Sequence, residues 1–498
     1  MWKWLILTLA AGAAQAAAVR GAVVDNQSGR PLARSLVVIQ PVEGTPGVAR
    51  SARTDPYGVF AFESVPAGAY LLSAARRGYA PIQHQQRRWK ASGVPLILAG
   101  TTVANLALRL QRFGAISGVV SDEADVGLPG VQVAVYRNTR PPRLVTHAET
   151  DDRGVYRAGG LEPGSYLIRT LPVEEGETSF LPTYAPESTR IEGARAAEVV
   201  LDRETTQVNL RPIPGRLYTV AGRVHDRQPA GVTVTLTSDG GSETTVTTAS
   251  GVFRFKPVAP GPYELAASAP ADRRMLSRAT WSRLQVEENR DYNLSLAPIP
   301  ELRVLVEDNQ GRDVDMNTVI ILARRKDLSG ESRASALRFE GHRTTLLPGR
   351  WQLSLAAGPE QYVEAFSGPS AAGGRADGWN EIVLEGSVPA EVKFVLAPNP
   401  GAIHGLVSTA AKAAPGAPVF LEAFDPESRR RLADVRMTRT DVRGQYRFFG
   451  LAPGHYRVLS SYEWDDAESV MFEAANPMLV HVEAGRDEAA DLEVFVLP

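Results

Sequence analysis

A chain of 498 residues is too long for one ordinary core, so several domains are expected. Its 44 glycines and 35 prolines are spread along the whole length and 44% of its residues are hydrophobic, which excludes wholesale disorder and predicts folded units with many turns. A formal net charge of −2 leaves no electrostatic footprint for nucleic acid, and the lack of cysteine excludes disulfides, thiolate metal sites and cysteine nucleophiles.

In chain order, residues 1–16 read first as a signal peptide. Lys3 supplies a positive start, residues 5–14 are apolar, and Ala14-Gln15-Ala16 is a small-x-small cleavage site. The run is too short to span a bilayer, and no later stretch is long and apolar enough to be a transmembrane segment. Periplasm, outer cell surface and medium all fit such a leader. An exported chain without disulfides must hold each domain together by its own apolar core.

Next comes a stretch that recurs. TDPYGVFAFESVPAGAYLL begins at residue 54, and TDDRGVYRAGGLEPGSYLI at 150, TASGVFRFKPVAPGPYEL at 248, FEGHRTTLLPGRWQL at 339 and TDVRGQYRFFGLAPGHYRV at 440 resemble it. Two glycines lie ten residues apart in four copies: Gly58 and Gly68, Gly154 and Gly164, Gly251 and Gly261, Gly444 and Gly454. An aromatic follows two residues later, at Tyr70, Tyr166, Tyr263 and Tyr456; the fourth copy keeps Gly349 and Trp351. Asp55, Asp151 and Asp441 lead the first glycines, and Ala249 is expected to fill that slot in the third copy, so the acid reads as a turn former. The aromatic is expected to bury its ring and send its polar atom to a backbone partner.

Each unit opens on an apolar alternation led by glycine (RGAVVD at 20, SGVVSD at 117, AGRVHD at 221, HGLVST at 404), except ELRVLVED at 301. Each closes on another alternation, such as VANLALRL at 103 and EVKFVLAP at 391. Period-two patterning between glycine and proline turns, with no helical stretch, predicts an all-β chain of β-sandwiches. The predicted units are 17–112, 113–214, 215–300, 301–398 (divergent) and 399–498.

These motifs resemble the carboxypeptidase regulatory-like domain family of transthyretin-like, carbohydrate-binding-like sandwiches. The resemblance rests on the opening G-x-V-x-D, on RPLARSLVVI at 30 and GLPGVQVAVY at 127, and on the T-D-x-x-G and P-G-x-Y segments. It implies five seven-stranded Greek-key sandwiches in tandem, but fold does not carry function. Some relatives contain a Lys–Asn isopeptide crosslink; no lysine stands in the opening strands here, so none is expected.

A search for chemistry returns little. The seven histidines do not show zinc-peptidase spacing and read as solvent-facing or strand-paired. No nucleophile elbow, phosphate loop or full calcium loop is present, and Asp151-Asp152, Asp313/Asp315 and Asp465-Asp466 read as solvated loop acids. The arginine-rich runs at 76–90 and 428–436 read as solvated faces. Trp89, Trp281, Trp379 and Trp464 fall outside the core pattern and are the candidates for stacking on a sugar, though they do not sit at equivalent places in the copies.

The reading is a non-enzymatic exported scaffold, a monomeric rod of five sandwiches in an elongated array, with Pro-x-Pro junctions keeping neighbours end to end. No catalytic residue, metal or cofactor is expected. The partner classes are an envelope protein or a polysaccharide. A carbohydrate-binding accessory protein and a hydrolase with an unrecognised site are the alternatives.

Overall fold

The computed structural model describes residues 17–99, 103–139, 142–175, 178–238, 241–269, 278–299, 301–326, 334–347, 349–369, 380–384, 390–424, 435–465 and 470–497. The proposed leader and Trp379 lie outside them. Among the described residues the chain is built almost wholly of strands, arranged as successive pairs of facing sheets. It divides into two compact units, one running to Arg112 and resuming at Gly401, the other starting at Phe113 and running to Pro400.

The first sandwich shows the plan. Its opening strand, Ala17–Asp25, is the centre of a three-stranded sheet, antiparallel to Val59–Val65 and parallel to the closing strand Val103–Leu110. The facing sheet carries Arg50–Arg53, Leu36–Pro41 and Gly68–Ala75, with the short Ile82–Gln83 and Leu96–Leu98 both paired to the last of these. Alternate residues of Val59–Val65 point inward, so Phe60 and Phe62 meet Val19, Val37, Ile39 and Leu72 in one core. Each such side chain contributes about 1.5–3 kcal/mol by leaving water. Because the opening and closing strands run parallel, the chain starts a sandwich at one end and leaves it at the other.

The same plan recurs with opening strands Gly114–Val119, Val220–His225, Glu301–Asp308 and Gly401–Thr409, each parallel to its own closing strand. The second sandwich adds a small third sheet of Val173–Glu175, Thr178–Leu181 and Ile213–Pro214. The fourth lays Gln361–Ser367 against its closing strand Ala390–Pro398, which widens that sheet to four strands.

The recurring motif is a set of backbone hydrogen bonds. The Asp55 carboxylate accepts the N–H groups of Tyr57 and Val59 at 2.9 and 2.8 Å, and Asp151 and Asp441 do the same two and four residues on. Gly58 follows at φ +73°, where a Cβ would stand 2.7 Å from the Val23 carbonyl oxygen. In the third copy the slot belongs to Thr248, not Ala249. The Thr248 hydroxyl accepts the Val252 N–H at 3.1 Å and Gly251 N–H donates to the Thr248 carbonyl, so a threonine acceptor stands where the acid stands in the other copies.

The threonine before that slot has its own task. Thr54, Thr150, Thr247 and Thr440 are buried, and each hydroxyl donates to one backbone carbonyl and accepts one N–H across the sandwich. The aromatic after the second glycine donates to the carbonyl four residues back: Tyr70 to Pro66, Tyr166 to Glu162, Tyr263 to Ala259 and Tyr456 to Ala452, at 2.8–2.9 Å. Trp351 reaches Leu347 in the same way with its indole N–H, at 2.8 Å. An indole replaces a phenol there because only a donor at that reach is needed.

Candidate functional site

The first and fifth sandwiches belong to one compact unit and share a seam. A straight line of five would hold these two farthest apart, so the end-to-end expectation does not describe this pair.

The seam grows from two loops. In the first sandwich the chain leaves Gly68–Ala75, passes Ile82–Gln83 and crosses residues 84–95 before Leu96–Leu98. In the fifth it leaves Gly454–Ser460 into residues 461–465. The loops exchange backbone hydrogen bonds: Ser92 N–H to the Tyr462 carbonyl and Asp465 N–H to the Lys90 carbonyl, both 2.8 Å. A third runs from Val442 N–H to the Glu43 carbonyl at 2.7 Å.

Side chains complete it. The Asp465 carboxylate accepts from Ser92 Oγ at 2.8 Å, from Arg439 Nη2 at 2.8 Å and from Gln83 Nε2 at 3.2 Å. Arg439 also donates to Ser92 Oγ at 3.0 Å and to the Gly416 carbonyl at 3.1 Å. Burial pushes the Arg439 guanidinium below its ordinary value, with Asp465 opposing. Glu463, whose side chain is only 8% exposed, lies between Arg87 at 3.5 Å and Arg88 at 3.4 Å, and Arg88 also donates to its carbonyl. Close approach is part of the design: a Cβ on Gly416 would stand 2.8 Å from Pro95 Cγ and 2.9 Å from Val42 Cγ2.

Beside these groups lies a cleft of about 290 Å³ lined chiefly by apolar groups, among them Val94, Pro95, Ile97, Pro415 and Phe495. Tyr462 also lines it; burial pushes its phenol up to about 12, and its hydroxyl donates to the Pro415 carbonyl at 3.3 Å. The acids and bases of the seam neutralise one another, so the arrangement suits docking rather than proton transfer. Among the described residues no group of three ligating side chains converges to hold a metal ion.

Two of the four candidate tryptophans come to this seam. Trp464 stacks on Phe495 with centroids 6.2 Å apart and planes 7° apart, and the Arg88 guanidinium lies 5.6 Å from its ring centre. Trp89 is half-buried in the partner loop, next to Lys90. Trp281 stands apart on Arg278–Val286, opposite Ala266 and 45% exposed.

Ser92, Arg439, Glu463 and Asp465 are seam residues that the sequence reading did not find. It read the 76–90 run as a solvated face and Asp465 as a solvated loop acid, whereas Arg88 and Asp465 have partners about 375 residues away. The one available signal was the match of Arg87-Arg88 with the acids at 463 and 465.

Residues 18–109 and 219–297 match the family model of the carboxypeptidase regulatory-like domain. No curated protein matches the chain. Among solved structures, the Bacillus anthracis TIE protein is 12% identical with a TM-score of 0.19; the match covers 56% of this chain and 50% of that one, so this chain spans about half its length. The minor pilin of Streptococcus agalactiae is 14% identical with a TM-score of 0.25, over 40% of this chain and 97% of that one. Two B repeat units of the collagen-binding protein of Staphylococcus aureus are 12% identical with a TM-score of 0.14, over 77% and 100%.

Proposed function

We propose that this chain, which carries carboxypeptidase regulatory-like domains at residues 18–109 and 219–297, is a non-enzymatic exported scaffold of the cell envelope, clasped between its first and last sandwiches. The sandwiches run 17–112, 113–214, 215–300, 301–398 and 399–498, behind a leader at 1–16. The seam around Asp465 is the observation that carries this reading. A carboxylate that accepts from three donors across two sandwiches holds their relative position. The recurring acids support the non-enzymatic part, because Asp55, Asp151 and Asp441 accept from the backbone of their own turns.

Spectroscopic distances test the clasp. The chain has no native cysteine, so Ser51→Cys and Glu488→Cys place one label on each sandwich without competition. One narrow distance distribution is expected in the full chain, and a broad one once Asp465→Ala and Arg439→Ala are combined. A broad distribution in the otherwise unaltered chain would sink the clasp. Cell fractionation with a C-terminal tag tests export.

Sugar binding is a second reading, favoured by the exposed indole of Trp281. A glycan array on the full chain, repeated with Trp281→Ala, decides it: no retained sugar removes this reading.

A further inference from the structure

The fifth sandwich breaks a rule that the other four keep, and the break falls on the cleft beside the seam. Four residues after the glycine or valine of the opening strand, the first four sandwiches carry an acid: Asp25, Asp122, Asp226 and Asp308. Each accepts a backbone N–H of the turn it starts, from Ser28, Ala124, Gln228 and Gln310 in that order. The fifth has Thr409 in that place. Its turn is instead a two-residue hairpin in which Thr409 pairs with Lys412. The residues between them, Ala410 and Ala411, stand at φ +48° and +60°, a region alanine rarely enters. Strain of that kind persists only where the surrounding structure fixes it, and here it sets Thr409 and Lys412 on one wall of the cleft.

The cleft, about 290 Å³, lies at the small end of ligand pockets, which run roughly 300–1,000 Å³ and favour domain interfaces. Val94, Pro95, Ala414 and Phe495 give it apolar walls, and Ile97 and Val496, 58% and 48% exposed, carry that apolar lining out to solvent. Its charged lining is Arg87, Lys412 and Glu463. Glu463 lies between Arg87 and Arg88, so its charge is balanced within the seam. Lys412 is exposed, and its ammonium has no ion pair or hydrogen bond among the described residues. An unopposed positive charge therefore stands beside an apolar cleft, in the one sandwich that lacks the neighbouring acid.

We infer that this cleft binds a small aliphatic carboxylate, its tail against the apolar lining and its head group paired with Lys412. Charge complementarity selects an anion, because a carboxylate accepts the ammonium's N–H donors in a charge-assisted bond. The tail gains by leaving water against Val94, Pro95 and Phe495. An acid at position 409 would repel that head group, and the fifth sandwich alone has none there. The inference rests on the clasp, since the first and fifth sandwiches form the cleft together.

Sodium octanoate, octanol and octyltrimethylammonium bromide share one tail and differ in head group. Each is titrated into the full chain by isothermal titration calorimetry. Saturable binding of octanoate is expected, about tenfold tighter than octanol, with no binding of the cation. Lys412→Gln removes the charge at an exposed side chain, so it should weaken octanoate about tenfold and leave octanol unchanged. Thr409→Asp restores at an exposed position the acid that four sandwiches carry, so it should fold, lose octanoate and still bind octanol. Equal binding of the three head groups, or undiminished octanoate binding in both variants, would overturn the inference. So would a doubled mass in light scattering that octanoate leaves unchanged, since a second copy would then hold the cleft. A narrow distance between the labels of Ser51→Cys and Glu488→Cys, with no octanoate binding, sinks this inference and leaves the clasp standing; a broad one removes both.

Discussion

The second and fourth sandwiches differ at one position of the opening strand. The second has Gly118 four residues before its turn acid Asp122, whereas the fourth has Val304 four residues before Asp308. At Gly118 a Cβ would run into the Val208 carbonyl of the closing strand, and the phenol of Tyr156 donates to that same carbonyl at 2.6 Å. Gly405 repeats this with Ala490 and Tyr446, again at 2.6 Å. Around these glycines the parallel ladder is broken: in the first sandwich Val19 faces Val103 but Gly21 faces Leu106, one residue further on. In the fourth, seven consecutive pairs run unbroken from Leu302–Ala390 to Asp308–Leu396, and Val304 is fully buried. In the first, second and fifth sandwiches the glycine serves an irregular closing strand that presses its backbone inward, and in the fourth the ladder leaves room for valine. The third sandwich keeps Gly222 within an unbroken ladder, where a Cβ would stand 1.8 Å from the Tyr292 carbonyl oxygen, so close approach of the closing strand and not the bulge alone calls for glycine.

The largest effect that can break this comparison is Gly118→Val. Overpacking against a fixed carbonyl should cost about 3 kcal/mol, read as lost hydrogen-exchange protection in Gly114–Val119. The reverse change, Val304→Gly, should cost about 2 kcal/mol through lost burial while its ladder keeps its register. Equal disruption by the two would mean that the bulge is not what requires glycine.

The turn acids come next. Asp25 is 2% exposed, and its carboxylate accepts from Ser28 N–H and hydroxyl at 2.8 Å and from Tyr79 and Arg112 at 3.0 Å. The Ser28 backbone hydrogen bond leads in holding this carboxyl well below its ordinary value, against the effect of burial. A depressed folded-state pKa gives stability that is present above the ordinary carboxylate range, near pH 4, and lost as pH falls through the folded value. Asp25→Asn should therefore lower the melting temperature at pH 7 and lie progressively closer to the unaltered chain below pH 4. A constant gap across that range would refute the linkage.

A smaller effect is expected from Tyr156→Phe, about 1 kcal/mol, because one buried phenol–carbonyl hydrogen bond is lost. The first sandwich already has Phe60 in that position, beside Gly21. Denaturant midpoints on the full chain measure it. The smallest is Asp151→Thr, within about 0.5 kcal/mol, since Thr248 does this task in the third sandwich; Asp151→Ala should cost about 1 kcal/mol. A threonine no better than alanine would break the equivalence.

Strands, turns and their recurrence were legible in the sequence because each is local. Alternating residues in Val59–Val65, the positive φ at Gly58 and the turn acceptor at Asp55 all act within a few residues of one another. Thr248, one residue before Ala249, is the acceptor of the third copy, and it too acts on a residue four positions on. The purpose of Thr150 was not legible, because its hydroxyl joins residues 19 and 22 positions away. The candidate tryptophans are rings outside the core pattern, and only packing shows that Trp464 lies against Phe495 while Trp281 stays open.

What this chain determines by itself, then, is a period, a strand pattern and the chemistry of one turn, since those depend on neighbours in sequence. Which sandwiches touch was decided in three dimensions. The contacts between Arg88 and Glu463, and between Ser92 and Asp465, join loops more than 370 residues apart, and their charges alone match many other pairs in the chain. Only when shape brings Gly416 against Pro95 and Val42 does one pairing exclude the rest.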